Sequence, residues 1–420
     1  MEEKYKVSFV TFSDGERYPI LLNSKGQPHW YPTLYLTTRI RNASKAPNTM
    51  AAVLAAMRVL FVWADSFGQD LEYRFAQRQF LTDREIESLR YYIQTKADGL
   101  TSRKKNTKKI SKIECIRGKI RYPDNKVSSS TQYIRITYIA DYLEWLAIRF
   151  CEGSGQVNAE LIKLIQKMTN GLRFLRPQKT VKSREAARRG LTEPQKEALL
   201  NILKPGSMNN PFSQGLQTRN QLIILLLYHL GLRAGELLSL RISDFDFQNN
   251  TLLVARRHDN PADPRTHQPV VKTIDRRVPL SEALIRTVSE YIMRDRRQYS
   301  MAKRHDYLFV VHQAGPFSGQ PLSLKGLAKL FQEIKGAESA LFDTLTPHVL
   351  RHTANDQFSK LMDKRGATPA EEEKMRSYLM GWKEGSGTAG TYTRRHIENK
   401  AREAALLLQN SVEGVNSDAH

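Results

Sequence analysis

Residues 347–353 read PHVLRHT, and two of them carry the first functional signal. His348 and Arg351 are three apart, which on a helix sets them one turn apart on the same face. A helix is expected over 347–361. Upstream, GLRAGELLSL at 231–240 spaces Arg233 and Glu236 in the same way. That motif follows Gln221–Leu230, apolar on nearly every face and so expected to be a buried helix, which Gly231 can end in the left-handed conformation. Lys272 falls in VVKTIDRRVPL between the two motifs; MGW with Trp382 and TAGTYTRRH with Tyr392 follow downstream. Taken singly, each residue has an ordinary reading. Arg233 can pair with Glu236, Lys272 can face solvent from a strand, and His348 and Arg351 can form an exposed helical edge. Trp382 can fill the core, and Tyr392 is one of 17 tyrosines.

The chain has 420 residues and a net charge of +22, from 65 Lys and Arg against 43 Asp and Glu. A surplus of this size points to a polyanionic partner, since basic surface gains affinity by displacing counterions from phosphates. Hydrophobic residues make up 40%, too many for a mostly disordered chain. Cys115 and Cys151 form no CxxC pair, so neither a zinc ribbon nor a disulfide framework is expected. The N-terminus lacks a signal-peptide pattern, and the apolar run Leu222–Leu230 is too short to cross a bilayer. These features predict a cytoplasmic protein without a membrane partner.

Five segments are expected. Residues 1–44 read as a β-hairpin or accessory segment, with Asp14-Gly15 as its turn. Residues 45–175 read as a helical domain. Its stripes are Met50, Val53, Leu54, Met57, Leu60, Phe61 and Ala64, capped by Asn48 or Thr49; a helix capped by Thr82 with Glu85; Ile134, Ile136, Ile139, Tyr142, Leu143, Leu146 and Phe150; and Leu161, Ile162, Ile165 and Met168. Between them runs a basic stretch in which Arg103, Lys104, Lys105, Lys108, Lys109 and Lys112 are candidate DNA-backbone contacts. Residues 176–190 read as a basic linker. A second domain over 191–409 opens with a Thr192–Gln195 capping box and has further helices at 281–296, 323–335 and 396–409. TLLVARR and VVKTIDRRVPL form its hairpin, with an enlarged loop. Residues 410–420 read as a disordered tail. The fold class is mainly α with a small β-sheet.

Arg233, Lys272, His-x-x-Arg at 348–351, Trp382 and Tyr392 together, in that order, resemble the catalytic set of the tyrosine recombinase (phage integrase) family. The resemblance implies a helical core-binding domain and a catalytic domain that form a C-shaped clamp on double-stranded DNA. It implies a site-specific recombinase that cuts and rejoins DNA through a 3′-phosphotyrosine and a Holliday-junction-type exchange, with neither ATP nor a metal or other cofactor. Tyr392 is then the nucleophile, Arg233 and Arg351 clamp the phosphate, and Lys272 protonates the leaving 5′ oxygen. His348 assists proton transfer to or from the tyrosine, Trp382 donates its indole N–H and packs the pocket, and Glu236 orients the set. Two guanidiniums suit this chemistry because each forks onto phosphate oxygens and stays charged. The resemblance also implies a homotetramer or mixed assembly on DNA and a nucleoid-associated protein of bacterial or phage origin. The stripe Ala401, Ala404, Leu407 and Leu408 can pack on its own domain or dock on a neighbouring protomer.

Three departures stand out. The gap from Arg351 to Trp382 is long and charged, the hairpin before Lys272 is enlarged, and Tyr392 lies one residue further from Trp382 than is common. Lys303 is a weaker substitute for Lys272, and Tyr378 a poor rival to Tyr392. The competing readings are a metal-dependent transposase, with Asp244 and Asp246 on one face of a strand; a type IB topoisomerase; and a catalytically inactive DNA-binding regulator on the same fold.

Overall fold

Thr82 and Thr192 open their helices by the same device. The Thr82 hydroxyl accepts from the Glu85 N–H at 3.4 Å while the Glu85 carboxylate accepts from the Thr82 N–H at 2.8 Å. Thr192 and Gln195 repeat the exchange at 3.4 and 3.0 Å. Each box satisfies helix N–H groups that have no partner within the helix. The two boxes lie in different units, one of residues 1–13 and 17–182, the other of 14–16 and 183–420. The computed structural model describes residues 4–43, 46–96, 126–153, 159–178, 190–271, 273–383, 385, 401 and 404–409.

In the first unit, β1 (Tyr5–Thr11) and β2 (Arg17–Asn23) form an antiparallel hairpin with Tyr5 opposite Asn23. The helices α1 (Trp30–Tyr35), α2 (Pro47–Ser66), α3 (Leu71–Ala76), α4 (Asp83–Gln94), α5 (Ser129–Gly153) and α6 (Ala159–Phe174) follow. The hairpin is no appendage, because Tyr5, Tyr18 and Leu21 are buried in the same core as the helices. Every residue of the first stripe, Met50 to Ala64, is buried. Ala46, not Asn48 or Thr49, is the N-cap of α2, because Pro47 takes the first turn. Among the described residues, α2 is the one helix long and apolar enough to cross a membrane by length and composition, a match that a search for the longest apolar run misses. Its apolarity is accounted for by the core, where Val53, Leu54, Met57 and Leu60 are fully enclosed. Ile134 is exposed while Ile136 is buried. Two residues apart on a helix is about 200° of rotation, so one stripe cannot hold both.

The second unit contains α7 (Glu193–Ile202), α8 (Gln214–Leu230), α9 (Ala234–Ser239), β3 (Phe245–Asp246), β4 (Thr251–Val254), β5 (Arg276–Pro279), α10 (Glu282–Glu290), α11 (Leu324–Ala337), α12 (Ser339–Phe342), α13 (Pro347–Lys364) and α14 (Pro369–Met380). Leu222, Ile223, Ile224, Leu226 and Leu227 of α8 are fully buried, and Gly231 ends that helix at φ +59°. The sheet is antiparallel in the order β3-β4-β5, with Leu252 opposite Val278.

Its hairpin strands are shorter than expected. Beyond Val254, side chains replace the ladder: the Arg256 N–H donates to Asp275 at 2.6 Å, and Arg257 pairs with Asp244. The expected 281–296 helix changes winding, since α10 passes at Tyr291 into a π-turn and at Arg296 into a 3₁₀ turn. The buried Arg296 guanidinium donates there to the carbonyls of Tyr307, Ala302 and His305. The charged gap before Trp382 holds α14, opened by a capping box between Thr368 and Glu371 with Pro369 in the first turn. That capping signal, Thr368 with Glu371 three residues on, is local to the sequence.

Gly235 marks the closest approach between α9 and the segment before residue 272. A Cβ there would lie 2.5 Å from the Val270 carbonyl oxygen. Gly235→Ala is therefore expected to cost about 1–3 kcal/mol of stability through overpacking, read as a lower denaturation midpoint of the second unit. An unchanged midpoint would contradict the close approach.

Candidate active site

The site is organised around one carboxylate. Glu236, in the first turn of α9, is 1% exposed. Its Oε1 accepts from Arg233 Nη1 at 3.2 Å and from the Thr273 hydroxyl at 2.8 Å. Its Oε2 accepts from the Arg233 N–H at 3.2 Å and from Arg276 Nη2 at 2.9 Å, and Arg351 Nη1 lies 3.9 Å away. Three guanidiniums thus share a single carboxylate. Burial pushes the Glu236 carboxyl up, but the charges of Arg276 and Arg351, with hydrogen bonds from Arg276 and Arg233, outweigh it and hold the group below the usual carboxylate range.

The two predicted arginines differ in access. The Arg233 side chain keeps 35% of its surface, whereas that of Arg351 keeps 2%. Arg351 donates to the Gly231 carbonyl and, at 3.2 Å, to that of Met380. These contacts lock its plane, so its charge is fixed in place before any ligand arrives. Its guanidinium carbon sits 5.2 Å from the centre of the Trp382 ring, within cation–π range.

Trp382 reaches that place through the end of α14. Gly381 takes φ +62°, and its carbonyl accepts from the Ile274 N–H at 3.0 Å. Two residues on, at the start of β5, the grip repeats, with Arg276 Nε on the Leu379 carbonyl at 2.6 Å. His348 is exposed in the first turn of α13, one turn before Arg351, with its ring 4.5 Å from that of His352. The structure therefore brings Arg233, Glu236, Arg351 and Trp382 into one cluster and puts His348 at the same end of α13.

Lys272 and Tyr392 lie outside the described residues, as do Arg103, Lys104, Lys105, Lys108, Lys109 and Lys112. Position 272 is bracketed by Val271, 1% exposed, and Thr273, bonded to Glu236. Strand β5 begins at Arg276.

Sequence reasoning missed Arg276 and Thr273. No sequence signal singled out Arg276; only the structure places it opposite Val254 in a short buried ladder, where a charge needs a partner. The acidic pair fares differently. Asp244 is buried in a 3₁₀ turn before β3, held by the Arg241 N–H at 2.8 Å and by Arg257. Asp246 closes a turn by accepting from the Asn249 N–H at 2.9 Å. The two do not alternate along one strand, and each is already engaged by protein donors.

The model of the phage integrase family matches residues 189–398, half of the chain. The chain belongs to the phage integrase family. Among curated members of like sequence, transposase A from transposon Tn554 of Staphylococcus aureus is 32% identical over 136 residues, 32% of this chain and 34% of that protein. Tyrosine recombinase XerA of Pyrococcus furiosus is 27% identical over 229 residues, 54% of this chain and 65% of XerA. The chain thus spans about a third of the length of the first curated relatives it matches. Among solved structures, the Tn1549 transposon integrase in complex with transposon right-end DNA covers 89% of this chain and 99% of its own, at 15% identity and a TM-score of 0.47. The match to the phage integrase family spans every residue from Arg233 to Tyr392 named above.

Glu236 gives the site an acid sensitivity. The folded state binds its proton less readily than the unfolded chain. The stability it contributes is therefore complete above the ordinary value of 4.5 and is lost as the pH falls through the lower folded value. Glu236→Gln is expected to cost about 3–5 kcal/mol at neutral pH, because buried Arg276 loses its counter-charge. Denaturant melts of both proteins should converge as the pH drops below the carboxylate range. A gap that stays constant in acid would refute the role.

Proposed function

We propose that the chain is a tyrosine site-specific recombinase acting on double-stranded DNA. The observation that carries this reading is the convergence of Arg233 and Arg351 on Glu236, one half-exposed and one buried and locked. Such a pair stabilises the charge on the non-bridging oxygens of a phosphate undergoing in-line displacement. The phenol oxygen of Tyr392 attacks the scissile phosphorus, forming a P–O bond as the bond to the 5′ oxygen breaks. The phenol proton passes toward His348, and the leaving oxygen takes a proton from Lys272. A 5′ hydroxyl of a partner strand then reverses the steps, so the ester energy is kept and ATP is not consumed. Guanidiniums supply the charge that a metal would otherwise provide.

Holliday-junction-type exchange needs more than one copy on DNA. Leu406, Leu407 and Leu408 are exposed in the helical residues 404–409, which supports docking on a neighbouring protomer, in a homotetramer or a mixed assembly. Gripping of duplex DNA by both units, with Arg103 to Lys112 on its backbone, accords with the charge of +22. The division proposed for the chain is 1–44, 45–175, 176–190, 191–409 and 410–420. The metal-dependent alternative is disfavoured by the engagement of Asp244 and Asp246 described above, and a regulator without catalysis leaves the locked arginine pair without a use.

Incubation with a nicked suicide duplex built from candidate element ends should give a covalent protein–DNA adduct. Tyr392→Phe should give none, and Arg351→Ala should lower the rate by about 10²–10³-fold. An adduct of undiminished yield with Tyr392→Phe would reassign the nucleophile. Affinity for duplex DNA should fall with salt at a log–log slope of about −0.9 per neutralised phosphate. A slope near zero would argue against backbone neutralisation.

A further inference from the structure

We infer that Asp263, Arg265 and Tyr307 staple the enlarged β4–β5 loop onto α9 so as to position Lys272, making Arg265 a positioning residue of the reaction. The inference rests on the recombinase reading above.

A loop that only joins two strands has no need of a buried charge, yet this one contains two. Asp263 is 4% exposed and Arg265 is 8% exposed. Arg265 forks onto Asp263 through Nε and Nη2 at 2.9 and 2.8 Å. Its Nη1 donates to the carbonyls of Leu238 and Leu322, both at 2.9 Å. Tyr307 closes the unit. Its hydroxyl donates to Asp263 at 3.0 Å and accepts from the Asn260 amide at 3.0 Å, and its ring centre lies 4.6 Å from the Arg265 guanidinium carbon. A buried ion pair stabilises a fold poorly unless its geometry and hydrogen bonding are complete, as they are here.

Four fixed points of the loop, at the staple and on either side of position 272, share one helix. Arg265 holds the carbonyl of Leu238 on α9. The Pro269 carbonyl accepts from the Ser239 hydroxyl at 3.2 Å, Val270 closes on Gly235, and the Thr273 hydroxyl donates to Glu236. All four anchors, Leu238, Ser239, Gly235 and Glu236, belong to α9, the helix whose Glu236 gathers the guanidiniums. The segment on either side of position 272 is therefore registered against the arginines. A lysine on a four-carbon stem needs that registration, since a general acid displaced by about 1 Å loses about 10²-fold in rate.

The test uses the full chain and two nicked suicide duplexes, one ordinary and one with sulfur in place of the bridging 5′ oxygen. A thiolate leaves without a proton, so the sulfur substrate bypasses the general acid. Lys272→Ala sets the reference: it should cleave the ordinary duplex slowly and the sulfur duplex at the wild-type rate. Arg265→Lys keeps the charge but loses the fork. It should fall by about 10²-fold on the ordinary duplex and recover on the sulfur one. Tyr307→Phe, a milder change that carries the test if Arg265→Lys does not fold, should show the same pattern to a smaller degree. Thermal melts and DNA affinity accompany each variant. Equal losses on both substrates, or none on the ordinary one, would overturn the staple's role while leaving Lys272 as the acid. Failure of the sulfur substrate to rescue Lys272→Ala would instead remove the lysine's assignment and the staple proposal with it.

Discussion

A buried carboxylate that must neutralise several guanidiniums is the constraint on which the second unit depends. Glu236 has no access to water, so its charge is tolerable only while Arg276, Arg233 and Arg351 stay near it. Each arginine arrives from a different element, β5, the start of α9 and α13. Satisfying one carboxylate therefore ties the sheet to two helices. The same contact sets the arginines close to one another without a ligand, which is otherwise opposed by like-charge repulsion. The cluster is a device for holding positive charge in place before it is needed, as electrostatic preorganisation requires.

Much of this was legible in the sequence, because local rules and global packing agree. The apolar stripe from Met50 to Ala64, the capping boxes at Thr82 and Thr192 and the left-handed Gly231 are properties of a few neighbouring residues. So is the turn between β1 and β2. The order Arg233, Glu236, His348, Arg351, Trp382 was readable as a set; Arg233, Glu236, Arg351 and Trp382 converge, with His348 at the same end of α13. Arg233 and Glu236 pair as their spacing alone suggests, yet that ordinary contact is also the hub of the site.

What escaped was non-local. Arg276 looks like one of many basic residues in RRVPL until its partners on α9 and α14 are known. The strand around 272 was expected to be longer because VVKTIDRRVPL is β-prone throughout. Side-chain bonds to Asp275 and Asp244 end the ladder instead. The gap between Arg351 and Trp382 stands out in the sequence only as long and charged. As α14, it delivers the tryptophan, through a helix start that the capping signal at Thr368 and Glu371 encodes. Asp244 and Asp246 have the ordinary role of residues at a polar turn, since alternation in sequence does not give a shared face when one residue lies in a 3₁₀ turn.

The clamp of Ile274 and Arg276 on the last turn of α14 has a further consequence. Protein synthesis proceeds from the N-terminus, and α8, α9 and the sheet leave the ribosome well before residue 380. Until α14 emerges, Arg351 lacks both the Met380 carbonyl and the Trp382 indole. A nascent chain, or one truncated before this point, therefore carries Arg351 without the contacts that fix its plane. The fixed plane of Arg351 is thus completed only once residues 380–382 have been made.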